Sequence, residues 1–213
     1  MSDKYLNIII EDMFMGDTKT LISTLYSSEP VVPSIHRFSP NKLILITDEK
    51  PDERAKKSMD AIKKMFSKVM LIEIEYVKQY DIYQVAKKTV DIIDIEHNKK
   101  SDIFINITGG RKTLMLGVIH GAYARSEMIK SIHYSTEENN EFIELPIMSY
   151  DLNEVERILL QNLNVQGTIK VNDLAEDLGK TRGLLYQYLK KLRMKGLVDN
   201  DFKITQAGKV ALL

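Results

Sequence analysis

Residues 102–124 constrain the fold of this chain more than any other part of its sequence. They begin with a mostly apolar run, Asp-Ile-Phe-Ile-Asn-Ile, that is typical of a strand. The turn Thr-Gly-Gly-Arg-Lys-Thr then leads into a long apolar segment with helical spacing. A strand, a glycine turn and a helix in this order point backbone N–H groups and the positive helix end at one place. The segment therefore predicts an α/β domain with a ligand site where this strand ends.

The composition of the turn indicates a phosphate ligand. Two adjacent glycines let the backbone come close to a ligand, and two cations add to a helix N-terminus that already favours anions. The spacing fits neither a P-loop nor the glycine fingerprint of dinucleotide-binding folds. The alternative is a tight strand-to-helix turn with two solvated cations behind it. The predicted ligand contacts are Asn106, Thr108, Gly109, Gly110, Arg111 and Lys112.

Short apolar runs alternate with helical patterns throughout residues 1–147. Predicted helices follow the second and third of these runs and the glycine turn. This alternation predicts a Rossmann-like, mostly parallel sheet covered by helices on both faces. The predicted strands are residues 6–10, 42–46, 69–74, 102–107, 132–134 and 142–145.

Two further segments are expected at the ligand-binding edge, because open α/β sheets bind ligands outside the carboxyl ends of their strands. One is the loop after the first predicted strand, with Met13, Phe14 and Gly16, which offers either a base-stacking surface or a patch tucked against its own domain. The other is the end of the second strand, where Thr47 and Asp48 are either ligand contacts or a strand cap.

The helix after the glycine turn has a nearly bare stripe at Gly117, Gly121 and Ala124. Glycine inside a helix costs about 1 kcal/mol relative to alanine, so close packing is its usual justification. We expect this stripe to pack on its own sheet, with the same helix of a second subunit as the alternative.

Whole-chain composition narrows the class of protein. The 213 residues include 30 basic and 30 acidic side chains, so any nucleic-acid site is local. Cysteine is absent, which excludes disulfides and thiolate metal sites. The four histidines have no metal-ligand spacing, and no signal peptide or membrane span is evident. We expect a soluble, cytoplasmic protein with no metal, cofactor or membrane partner.

Residues 151–213 form a second pattern. A helix with a capping box at Asp151 and Glu154 is followed by a short edge strand at residues 168–170 and a short helix. Thr181 then caps a longer helix, and residues 196–198 and 202–204 are expected to pair as a wing. This order predicts a winged helix-turn-helix domain.

The charge of the longer helix favours DNA as its partner. Its basic residues lie on or beside one helix with no acid between them, and its outward face supplies phosphate and base-edge contacts in a major groove. The alternative is a solvated or protein-docking face. The wing tip carries Asp199 and Asp201, so it is expected to add little affinity. The predicted DNA contacts are Lys180, Arg182, Gly183, Tyr186, Gln187 and Lys190.

The motif Asn106-x-Thr-Gly-Gly-Arg-Lys112 after a strand, joined to a C-terminal winged helix, resembles the CRISPR-associated Rossmann-fold (CARF) transcription regulators of archaea. The resemblance implies a homodimer that senses a cyclic oligoadenylate, such as cyclic tetra-adenylate, across its two-fold axis. It also implies that residues 108–112 bind the ligand phosphates, that the loop after the first strand covers the bases, and that the DNA target is a promoter of CRISPR-linked genes.

Two other functions are compatible with the sequence. Some relatives with this sensor fold cleave the cyclic oligoadenylate, and Lys112 could stabilise charge during attack by a ribose 2′-hydroxyl. No general base is evident beside it, so we expect a regulator rather than an enzyme. A ligand-free module that docks another protein is the third hypothesis, and it predicts no salt-dependent DNA binding.

Overall fold

The computed structural model describes residues 18–136, 139, 141–148, 152–167 and 169–213. Residue contacts divide the chain into two compact units, with the division after Met148. Each unit contains its own apolar core. A separate core in each unit is the property expected of two domains.

The N-terminal unit is built on a mostly parallel sheet. Its strands, within the described ranges, are β1 (Lys19–Thr24), β2 (Lys42–Asp48), β3 (Leu71–Val77), β4 (Asp102–Asn106), β5 (Ser131–Ser135) and β6 (Phe142–Leu145). Their spatial order is β3-β2-β1-β4-β5-β6, and only the pairing of β6 with β5 is antiparallel. This is the order of a Rossmann-like sheet, so the predicted fold class is confirmed.

Helices cover both faces of this sheet. They are α1 (Val31–Phe38), α2 (Glu53–Phe66), α3 (Ile82–Asn98) and α4 (Lys112–Ala124), with a 3₁₀ turn at Ser126–Met128. Apolar residues of α1 and α2 pack in one core, and those of α3 and α4 pack in a second. The side chains of Asp52 and Asp81 cap α2 and α3 by accepting backbone N–H groups, which fixes where both helices begin.

The pattern of apolar runs did not predict β1 or α1. β1 carries buried hydroxyls that make it look polar, and these hydroxyls are satisfied inside the protein. Thr20 Oγ1 donates to Glu96 Oε2 at 3.0 Å, and Thr24 Oγ1 donates to the Gly109 carbonyl at 2.5 Å. The predicted strand at residues 6–10 and the predicted loop with Met13, Phe14 and Gly16 lie outside the described residues.

The glycine stripe of α4 packs against α3, so the expectation of packing on the sheet was wrong. A Cβ on Gly117 would lie 2.4 Å from Val85 Cβ, and one on Gly121 would lie 2.6 Å from the Ala86 carbonyl oxygen. The glycines therefore allow two neighbouring helices on one face of the sheet to approach within backbone distance.

The C-terminal unit contains α5 (Glu154–Gln166), α6 (Val171–Asp177), α7 (Arg182–Met194) and α8 (Gln206–Ala211) among its described residues. Leucines from α5 and α7 form most of its core. Thr181 caps α7, as predicted. The wing consists of one antiparallel bridge between Val198 and Ile204, and Asp199 Oδ1 accepts the N–H groups of Asp201 and Lys203 in the turn between them.

Two local predictions for this unit differ from the structure. The capping box of α5 is formed by Asn153 and Glu156, since Asn153 Oδ1 accepts the Glu156 N–H at 3.0 Å and Glu156 Oε2 accepts the Asn153 N–H at 3.2 Å. Asp151 lies outside the described residues. Of the predicted edge strand at residues 168–170, the two described residues, Ile169 and Lys170, are not in a strand.

Candidate functional site

The candidate site lies where β1 and β4 end side by side. These two parallel strands are neighbours at the point where the sheet order changes direction, with β2 and β3 on one side and β5 and β6 on the other. Such a switch point leaves a crevice between loops that diverge in opposite directions. The loop after β1 and the glycine turn after β4 form the two sides of this crevice.

The two glycines of the turn have different roles. A Cβ on Gly109 would lie 2.5 Å from the Thr24 carbonyl oxygen, so the absence of a side chain lets the turn pack directly on the end of β1. Gly110 has a φ of 84°, a left-handed conformation that glycine adopts readily. Together they turn the chain sharply into α4.

The N-terminus of α4 is positioned at this crevice. Arg111 is its N-cap residue and, within the described part of the chain, makes no side-chain capping hydrogen bond. The side chains of Arg111 and Lys112 are exposed. Backbone N–H groups, the helix dipole and two cations therefore favour an anion here.

Asn106 holds the turn in place and is itself fully buried. Its Oδ1 accepts the Thr108 N–H at 3.0 Å and the Thr108 hydroxyl at 2.6 Å, while its Nδ2 donates to the Pro30 carbonyl at 3.0 Å. The Thr108 hydroxyl oxygen in turn accepts the N–H of Ser135 at 2.8 Å. The structure therefore gives Asn106 a positioning role, because its hydrogen bonds join the loop after β1 to the glycine turn, and Thr108 extends this network to the end of β5.

A cavity of about 500 Å³ opens beside the glycine turn. That volume is in the range of small-molecule sites, which is about 300–1,000 Å³. The Oγ of Ser135 is buried here and has no hydrogen-bond partner among the described residues. The lining residues are Tyr26, Ser27, Glu29, Pro30, Arg54, Thr108, Gly109, Gly110, Ser135 and Thr136.

Tyr26 is an element of the site that the sequence interpretation missed. The guanidinium carbons of Arg54 and Arg111 each lie 5.3 Å from the centre of its ring, which is within cation–π distance. The Tyr26 side chain is also one of the groups that lower the pKa of the Asp52 carboxylate. Tyr26 follows β1 by two residues, so the prediction of a strand at residues 19–24 would have placed it at this edge.

The carboxylates around this cluster are held ionised. The Ala55 N–H is the main cause that lowers the pKa of Asp52, and the Tyr26 side chain and the charge of Arg111 add to it. The pKa of Glu29 is lowered chiefly by a hydrogen bond from the Ser27 side chain, and Arg54 contributes its charge. Both arginines therefore face acidic neighbours whose negative charge is retained well below neutral pH.

Thr47 and Asp48, both predicted contacts, lie beside a second and smaller cavity of about 150 Å³ at the end of β2. The Thr47 side chain is buried and donates to the Leu25 carbonyl at 3.1 Å, so it supports the loop after β1. Asp48 is partly exposed and accepts a hydrogen bond from Gln79. Tyr26 and Gly110 line both cavities.

The predicted DNA-contacting residues lie together at α7. Lys180, Arg182, Gly183, Tyr186, Gln187 and Lys190 are all exposed. The opposite face is formed by Leu185, Leu189 and Leu192, which are buried as expected. α7 therefore has one face in the core and one basic face at the surface.

Residues 20–146 match the family described as the Csa3 CRISPR-associated Rossmann-like domain. The match covers more than half of the 213 residues. The chain belongs to the Csa3 family. Residues 158–200 match the helix-turn-helix family described as bacterial regulatory protein, arsR family. In this chain, the Csa3 Rossmann-like domain is therefore followed by a helix-turn-helix domain of a DNA-binding, regulatory class.

Solved structures share the fold at low sequence identity. Enterococcus italicus Csm6 bound to cyclic hexa-2′-fluoro-hexa-dAMP matches with a TM-score of 0.53 and 13% identity over 86% of this chain. Protein VC1899 from Vibrio cholerae matches with a TM-score of 0.50 and 10% identity over 91% of this chain. The chain spans 57% of the length of the first and 64% of the second.

No curated protein matches the chain in sequence. In the described ranges, none of the helices has the length and apolar character that crossing a membrane requires.

Proposed function

We propose that the N-terminal unit binds a cyclic oligoadenylate and that this binding controls recognition of DNA by α7. The observation that carries the proposal is the convergence of the glycine turn, Tyr26 and Arg54 around a cavity of about 500 Å³, with Arg111 at the start of α4 lying against the ring of Tyr26. Backbone N–H groups and guanidinium groups suit phosphate. An aromatic ring suits a nucleobase.

Many nucleotides carry the phosphates and bases that suit this cavity. Family membership favours a cyclic oligoadenylate among them. The Csm6 relative in fold is bound to a cyclic adenylate analogue. We propose cyclic tetra-adenylate as the ligand of this chain, bound by a homodimer. A ring with internal symmetry can present the same phosphate arrangement to two identical sites related by a two-fold axis.

The proposed target of α7 is double-stranded DNA, and the proposed outcome is regulation of CRISPR-linked genes. Exposed arginine and lysine side chains on α7 suit backbone phosphate, and Gln187 suits a base edge. If the ligand changes the affinity for DNA, then DNA changes the affinity for the ligand by the same factor. DNA affinity measured with and without ligand tests this link directly.

Calorimetric titration with cyclic tetra-adenylate and, separately, cyclic hexa-adenylate tests the sensor. The wild-type chain is compared with Arg111→Ala/Lys112→Ala, and Lys63→Ala/Lys64→Ala on the exposed part of α2 is the matched control. We expect tight binding at one ligand per two chains in the wild type and the control, and a large loss in the turn variant. Absence of binding in the wild type would refute the proposal.

A further inference from the structure

We propose that the smaller cavity, at the end of β2, is an adenine subsite in which Asp48 and Gln79 recognise the edge of the base. This inference rests on the proposed function, because it assigns the base of the ligand whose phosphates are bound at residues 108–112. It concerns a cavity separate from the one beside Thr108 and Ser135.

The size and position of this cavity suit one ring system. Its volume of about 150 Å³ equals the liquid volume of roughly five water molecules, so it holds a base rather than a whole nucleotide. Tyr26 and Gly110 line it and also line the larger cavity, and Arg111 lies at its boundary. A base in the smaller cavity would therefore be continuous with a phosphate at the glycine turn.

Polar groups in this cavity retain hydrogen-bonding capacity. Gln79 Nε2 donates to Asp48 Oδ2, and the Lys50 N–H contacts Asp48 Oδ1 at 3.4 Å. An amide nitrogen has two N–H donors and a carboxylate has about four lone-pair sites. On the hydrogen bonds made by the described residues, the pair therefore keeps one donor and at least one acceptor for a ligand.

An acceptor next to a donor is the complement of adenine. The exocyclic amino group of adenine is a donor, and its ring nitrogens N1 and N7 are acceptors on either side. The Asp48 carboxylate suits the amino group, and the Gln79 amide suits a ring nitrogen. Guanine and hypoxanthine have an oxygen in place of that amino group, and this oxygen would face the carboxylate acceptor-to-acceptor.

The aromatic wall adds stacking to this recognition. The guanidinium groups of Arg54 and Arg111 both lie within cation–π distance of the Tyr26 ring, which limits its rotation. A ring fixed at the boundary of the cavity offers a surface for a base without the entropic cost of ordering a mobile side chain. Stacking accepts any base, so selection for adenine falls to Asp48 and Gln79.

Asp48→Asn tests the assignment, because it preserves shape and replaces one acceptor oxygen with a donor. Calorimetry on the full chain compares cyclic tetra-adenylate with cyclic tetra-inosinate, in which each base has a carbonyl oxygen in place of the amino group and a hydrogen on N1. In the wild type we expect the adenylate to bind about 5-fold to 150-fold more tightly than the inosinate. In Asp48→Asn we expect the adenylate to weaken and the inosinate to gain.

Asp60→Asn on the exposed face of α2 is the matched control, and it should bind both rings as the wild type does. Equal weakening of both rings by Asp48→Asn, or no change, would overturn the subsite while leaving the sensor intact. Failure of the wild-type chain to bind cyclic tetra-adenylate would overturn the sensor and the subsite together. Gln79→Met supplies a second measure, since it should weaken the adenylate and leave Asp48 in place.

Discussion

The side-chain oxygen of Asn106 accepts both the backbone N–H and the hydroxyl of Thr108, at 3.0 and 2.6 Å. The same side chain donates to the Pro30 carbonyl from its nitrogen. One buried amide therefore fixes the shape of the turn and the distance of that turn from the loop after β1. Its energetic role and its effect on ligand binding can be measured separately.

Replacing Asn106 by alanine should lower both stability and ligand affinity. The change removes the buried side chain that accepts from the partly buried Thr108 N–H and donates to the Pro30 carbonyl, and a polar group left without its partner costs up to about 1–3 kcal/mol. Urea denaturation followed by circular dichroism measures the free energy of unfolding, and Asn98→Ala at the exposed end of α3 is the control. Equal stability of the two variants would show that Asn106 does not hold the turn.

Gly109→Ala should disrupt the site more than its single added methyl suggests. The new Cβ would meet the Thr24 carbonyl oxygen at 2.5 Å, and neither atom can rotate away because the backbone fixes the position of both. We expect a loss of about 1–3 kcal/mol in the free energy of unfolding, together with loss of cyclic tetra-adenylate binding by calorimetry. Wild-type affinity in this variant would contradict the close approach of the turn to β1.

Gly183→Ala should have the opposite effect on stability. Apart from its chain neighbours and the backbone of α7 itself, no atom of the described residues lies within 4 Å of a Cβ at this position, and alanine is favoured over glycine in a helix by up to about 1 kcal/mol. We expect a higher melting temperature and weaker DNA binding, since Gly183 is proposed to lie against the DNA. A stabilised variant with unchanged DNA affinity would remove Gly183 from the interface.

Removal of two charges from α7 should change the salt dependence of DNA binding as well as its strength. The slope of log K against log salt is negative, and each lost phosphate contact should reduce its magnitude by about 1. Arg182→Ala/Lys190→Ala should therefore reduce the magnitude by about 2. Fluorescence anisotropy at several salt concentrations measures the slope. The Lys63→Ala/Lys64→Ala variant, with the same change in net charge, should keep the wild-type slope.

The buried pair of Lys42 and Glu96 makes stability depend on pH. Their Nζ and Oε1 atoms are 2.8 Å apart. Burial raises the pKa of Glu96, but hydrogen bonds from Lys42, Lys99 and Thr20 outweigh it and hold this pKa below the ordinary 4.5. Because the pKa is lower in the folded state, the pair stabilises fully above about pH 4.5, and its contribution is lost as the pH falls further.

Glu96→Gln should therefore lower the free energy of unfolding by about 3 kcal/mol at neutral pH. The free energy of unfolding of the variant should also fall less steeply than that of the wild type as the pH decreases. Denaturation at pH 7, 5 and 3.5 provides the comparison, with exposed Glu53→Gln as the control. A variant that is destabilised at pH 7 but declines in acid as steeply as the wild type would show that Glu96 is not the titrating group.

The parts of the site that could be predicted from sequence are those encoded within one segment. Residues 108–112 combine a strand end, two glycines and two cations in consecutive positions, and the leucine spacing of α7 separates its buried face from its basic face. Tyr26, Arg54 and Gln79 could not be predicted in this way, because they converge through the sheet order. β1 could not be predicted because its hydroxyl side chains look polar in the sequence. The partners that satisfy Thr20 and Thr24 inside the protein, Glu96 and Gly109, lie far along the chain.

The missing side chains at Gly117 and Gly121 also have a mechanical consequence. α4 and α3 meet there without space for a methyl group, and such a contact resists sliding because close-packed side-chain and backbone atoms leave no room for a shift. A force applied at the amino end of α4 would therefore move both helices together as one rigid unit. The glycines that bring the two helices together thereby make the pair stiff.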